Sequence, residues 1–138
     1  GLKSDALVEL VDLVPTILEA VGIEIPEGIQ GRSFLSICEG STDPHKHRED
    51  VYCEYYNALP FHTRPRPYAT MLRDREHKIA VYHGQEFGEL YDLVCDPGEV
   101  KNLWDDPQYA ETKYDLMKRC MDRIAFTVDP LPVRVGTY

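Results

Sequence analysis

The sequence predicts an α+β domain: a four-stranded antiparallel sheet covered by a C-terminal helix and preceded by an N-terminal helix and loop. Three observations carry this. Apolar residues at Leu10, Leu13, Val14, Ile17, Leu18 and Val21 keep helical spacing near the start. Four runs rich in β-branched and aromatic residues follow between 51 and 94, divided by short turns. A second helical pattern opens at Asp105-Asp106-Pro107.

Pro15 lacks an N–H and clashes with the preceding turn, so it belongs to the first turn of its helix. Asp12 as N-cap and Gly22 as terminator then predict a helix from about 13 to 21. The stretch IEIPEGIQGRSFLSICEG is a Gly/Pro-punctuated connection, with a short helix from Ser33 bringing Phe34, Leu35 and Ile37 to the core. STDPHKHRED reads as a polar surface crossing and the domain boundary.

The strand runs are VYCEYY (51–56), YATMLR (68–73), KIAVYH (78–83) and ELYDLV (89–94). The links DREH and GQEFG are short enough to make the last three an antiparallel meander. The C-terminal helix, opened by Asp105 or Asp106 with Pro107 at its first position, turns Tyr114, Met117, Cys120, Met121 and Ile124 toward the sheet. The tail VDPLPVRVGTY is expected to run extended over the surface.

The chain has 138 residues, 43% hydrophobic and 28% charged, the size of one soluble globular domain. A net charge of −9 argues against nucleic acid or an anionic membrane as partner, since both reward an excess of Lys and Arg. No apolar run approaches the roughly 20 residues of a membrane span, and the N-terminus has no signal-like apolar region. Cys38, Cys53, Cys95 and Cys120 fall in no C-x-x-C spacing and read as buried free thiols. The compartment stays open between periplasmic or secreted and cytoplasmic.

Three stretches invite chemistry. ELYDLVCDPGEVKNLWDDP concentrates Glu89, Asp92, Asp96, Glu99, Asp105 and Asp106. It fails as an EF-hand because Gly98 is seventh from Asp92 and Leu103 stands where the bidentate Glu belongs. Asp96-Pro97-Gly98-Glu99 is a turn tetrapeptide, Pro presetting φ and Gly tolerating positive φ. His45 and His47 of HKH lack a companion ligand and read as a solvated loop, so no metal site is assigned. NALPFHTRPRP (57–67) gathers His62, Arg64 and Arg66 in an otherwise acidic protein. Each Arg precedes a proline, which favours extended geometry. In a β-like segment the two guanidinium groups stand on one side about 7 Å apart, suited to a sulfate, phosphate or carboxylate. No G-x-S-x-G, Gly-rich phosphate loop or H-E-x-x-H supports catalysis by this chain, so no catalytic residue is assigned.

These motifs form an ordered set. VELVDLVPTILEAVGIEIPEGIQGRSF resembles a stretch in which a V-D-x-x-P-T-[IL]-L helix precedes a Gly, a Pro-containing loop and Q-G-x-S. MLRDREHKIAVYHG is similar to an R-x-x-x-x-K strand, and ELYDLVCDPGEVKNL to the signature E-L-Y-D-L-x-x-D-P-x-E-x-x-N-L. Together they resemble the type I sulfatases of the alkaline-phosphatase-like superfamily, over roughly residues 7–125. The resemblance implies that residues 1–45 end the catalytic α/β domain of such an enzyme and 46–138 form its C-terminal subdomain.

It further implies a sulfuric ester hydrolase in full-length form, with calcium and a formylglycine made within C/S-x-P-x-R. None of the four cysteines stands in that motif, so the chain alone is expected to be inactive and to hold no cofactor. In the full-length enzyme it would pack against the N-terminal catalytic domain. There His62, Arg64 and Arg66 would meet a sulfated small molecule or glycan. Two alternatives stay open: the same subdomain of a phosphodiesterase or phosphonate hydrolase, and a non-enzymatic anion- or protein-binding module.

Overall fold

A computed structural model describes residues 1–56 and 68–127. These divide into two compact units, Gly1–Arg48 with 124–127, and Glu49–Arg123.

The second unit is built on a sheet of four strands: β1 (Val51–Tyr56), β2 (Tyr68–Arg73), β3 (His77–Tyr82) and β4 (Gly88–Asp92). They pair antiparallel in sequence order, as the short links require. Register places Tyr52 opposite Leu72, Leu72 opposite Ile79, and Ile79 opposite Leu90. Because strand side chains alternate, these residues share one face. Leu72, Ile79 and Leu90 are fully buried there, each contributing roughly 1.5–3 kcal/mol of transfer free energy.

Helix α3 (Ala110–Thr127) closes this face, with Leu116 and Cys120 joining the core and Met117 packed against it. The expected face is therefore rotated. Tyr114 is 73% exposed and Met121 67%, while Leu116 carries the contact. Counting apolar residues favoured a stripe centred near 117–121. Leu116 and Cys120, one turn apart, meet the sheet instead. Arg119 anchors the helix, its Nη2 donating to Asp50 at 2.8 Å and its Nη1 to Asp74 at 2.7 Å. Arg123 Nη1 reaches Asp50 at 3.2 Å.

In the first unit a short 3-10 turn, Leu10–Asp12, runs into α1 (Leu13–Ala20). Pro15 lies in the first turn of α1, where its missing N–H leaves nothing unpaired. A one-turn helix α2 (Leu35–Cys38) follows the loop. Leu10, Leu13, Val14 and Ile17 are between 46% and 86% exposed, an apolar surface on the 3-10 turn and α1.

The cysteine expectation holds at only one position: Cys120 is buried, whereas Cys38, Cys53 and Cys95 are exposed. Cys53 alternates with Tyr52 and Glu54 along β1, so it points to the sheet face opposite the one that α3 covers. Burial pushes the Cys120 thiol up to about 11, well above an ordinary cysteine. With an aromatic disulfide reagent at pH 8, three thiols are expected to react in the folded chain, Cys95 the more slowly because its bond to Asp92 raises the thiol, and one only on unfolding. Four equal rates would contradict this packing. The tail 128–138 lies outside the described residues.

Candidate functional site

The cationic stretch with His62, Arg64 and Arg66 lies outside the described residues. The residues it joins are placed. Tyr56 ends β1 and Tyr68 opens β2, directly opposite one another in the register. Their rings sit 5.8 Å apart at 36°, and they are 41% and 40% exposed. His83, just beyond β3, sets its ring edgewise to Tyr56 at 6.0 Å. The His83 backbone N–H donates to the Tyr68 carbonyl at 2.8 Å. Its Nε2 lies 3.1 Å from Oγ1 of Thr70, itself only 1% exposed. A buried hydroxyl thus orients an exposed imidazole. Tyr52 hydrogen-bonds both Tyr56 and Glu54; burial and these bonds hold its phenol well above the usual tyrosine range. Sequence reading treated the two tyrosines only as strand formers. Their position at the two ends of the 57–67 stretch was the signal available.

The acidic stretch is a set of backbone staples. Asp92 Oδ1 accepts from Val94 N and Cys95 N, while its Oδ2 accepts from the Tyr109 hydroxyl at 3.1 Å. Asp96 Oδ2 accepts from Val100 N and Lys101 N, both at 2.8 Å. Glu89 accepts from the Tyr82 hydroxyl, and Asp106 Oδ1 caps the turn Pro107–Tyr109 through Gln108 N. The turn at 96–99 forms as expected, Glu99 N donating to Asp96 O at 3.0 Å. One detail is corrected: the positive φ falls on Glu99, at 54°, not on Gly98. Glu99 forms an ion pair with Lys78 from that left-handed position, which helps offset its backbone cost.

Asn102 extends this scaffold along β4. Its Oδ1 accepts from Leu90 N at 3.0 Å and its Nδ2 donates to Gly88 O at 2.9 Å, while Leu103 N bonds Leu90 O at 2.8 Å. A side-chain amide thus stands in for a neighbouring strand. Gly88 is needed here because an added Cβ would lie 2.4 Å from the Trp104 ring.

In the first unit the centre is Asp12, which is fully buried. It holds the N-cap position of α1, as the sequence suggested, but its carboxylate makes no cap bond to that helix and turns to other partners in the unit. Oδ2 accepts from Glu9 N at 2.9 Å, from Arg48 Nε at 2.9 Å, and lies 3.2 Å from His47 Nε2. Oδ1 accepts from Arg32 N at 2.7 Å and from Arg48 Nη2. Burial alone would raise this carboxyl. The Arg48 bond and the two backbone N–H groups outweigh it and hold it well below the usual carboxylate range. His47 and Arg48, expected in a solvated loop, have side chains only 8% and 5% exposed. The Asp12 carbonyl accepts from Thr16 Oγ1 at 2.6 Å, which in turn accepts from Phe34 N at 3.1 Å. Gly31 makes this approach sterically open, since its Cβ would fall 1.9 Å from the Val11 carbonyl oxygen.

The described residues contain no group of three His, Cys, Asp or Glu placed to hold a metal ion. No described helix is long and apolar enough to cross a membrane.

An antiparallel four-stranded sheet with helices at both ends is the C-terminal architecture of sulfatase-like enzymes, and the chain superposes on several. On BT1596, a 2-O GAG sulfatase, the TM-score is 0.74 at 29% identity, covering 86% of this chain and 25% of that one. On the phosphonate monoester hydrolase of Silicibacter pomeroyi it is 0.76 at 26% identity, covering 90% and 26%. Residues 1–125 match the family described as N-sulphoglucosamine sulphohydrolase, C-terminal, and the chain belongs to that family. An N-acetylglucosamine-6-O-sulfatase of Bacteroides thetaiotaomicron is 34% identical over 121 residues, covering 86% of this chain and 21% of that protein. The chain thus spans about a fifth to a quarter of the length of these relatives.

Proposed function

We propose that this chain serves as the C-terminal part of a sulfuric ester hydrolase and shapes the cleft that holds a sulfated small molecule or glycan. The match of residues 1–125 to a sulfatase C-terminal family supports this most directly. In this reading residues 1–45 end the catalytic α/β domain and 46–138 form the C-terminal subdomain. The exposed apolar residues Leu10, Leu13, Val14 and Ile17 offer the surface that packs against the rest of the catalytic domain. His62, Arg64 and Arg66 supply cationic contacts to a sulfate or carboxylate of the substrate.

Calcium bound in such an enzyme neutralises sulfate oxygens, and formylglycine supplies the nucleophile. The residues described here do not fit either group: they gather no metal-ligand cluster, and no cysteine of the chain stands in C-x-P-x-R. No chemical step is therefore assigned to this chain's own side chains.

The test is made on a longer protein carrying this chain, assayed with matched sulfate, phosphate and phosphonate esters. Preference for the sulfate ester is expected. Preference for the phosphonate would favour the second reading, which the superposition on a phosphonate monoester hydrolase supports. Replacing Arg64 and Arg66 together by alanine should raise KM for a sulfated saccharide by about tenfold or more, with little change in kcat. An unchanged KM would remove the two arginines from the site.

A further inference from the structure

We draw no further inference here: the strongest candidate, the exposed apolar surface that Leu10, Leu13, Val14 and Ile17 form on the 3-10 turn and α1, is the packing surface already described, and nothing in the structure shows what else covers it.

Discussion

Asp12→Ala is expected to unfold the first unit, at a cost of about 3–5 kcal/mol, because it removes one partner of a buried ion pair. The Arg48 side chain, 5% exposed, would lose the carboxylate that takes two of its donors, keeping the Glu9 carboxylate 3.6 Å away. Glu9 N and Arg32 N would lose their acceptors as well. A buried donor left without its acceptor costs about 1–3 kcal/mol, so several such losses add to that of the ion pair. Thermal unfolding should show a large drop, and hydrogen exchange should lose protection first at Glu9, Arg32 and Phe34. A variant that melts with the parent and keeps those amides protected would refute the hub.

The charge adds a pH signature. Asp12 titrates below an ordinary aspartate in the folded state, so its contribution is fully present above about pH 4, where the unfolded carboxyl is ionised. That contribution is lost as pH falls toward the depressed folded value. Asp12→Asn should accordingly flatten the acid side of the stability profile. Pairing Asp12→Leu with Arg48→Met should recover part of the loss, because an apolar pair leaves no buried charge unmatched.

Gly88→Ala is expected to destabilise the second unit by about 1–3 kcal/mol, through a clash rather than a cavity. The new methyl would lie 2.4–2.5 Å from three ring atoms of Trp104, and an indole is rigid, so the ring must move. Lys113 Nζ sits over that ring at 4.5 Å and also donates to the Trp104 carbonyl, so the shift spreads to α3. The chain has a single tryptophan, which makes its emission a direct reporter of this displacement. Emission and melting should both change in Gly88→Ala. Adding Trp104→Ala should cost less than the sum of the two single changes. Strict additivity, or unaltered emission, would show that ring and strand do not meet as described.

Several parts of this architecture were legible in the residues. The four strands follow from runs rich in β-branched and aromatic residues, the last three divided by DREH and GQEFG. α1 follows from helical apolar spacing with Pro15 in its first turn and Gly22 at its end. The acidic stretch was readable as turns, since Asp96-Pro97-Gly98-Glu99 carries its own backbone preferences. Positive φ at Glu99 was not readable, because Gly98 is the local favourite and the Lys78 ion pair comes from another strand. The helix face was misplaced for a related reason. Spacing shows which residues can share a stripe, but the sheet selects which of two overlapping stripes it receives.

The candidate site divides along the same line. His62, Arg64 and Arg66 were found as an unusual composition, a one-dimensional signal. The Tyr56–Tyr68 ring contact needed the strand register, because 11 residues separate the two tyrosines in the chain. Asp12 was legible as the N-cap position of α1, but not as the carboxylate on which Glu9, Arg32, His47 and Arg48 meet.

Periodicity, turn chemistry and motif order, all short-range properties, were enough to place this protein's elements and its sulfatase kinship. Which carboxylate is buried, which thiols are exposed and which rings meet depended on long-range pairing. Burial and hydrogen bonding are set by neighbours in space, and only the folded chain brings residues 12 and 48, or 56 and 68, together.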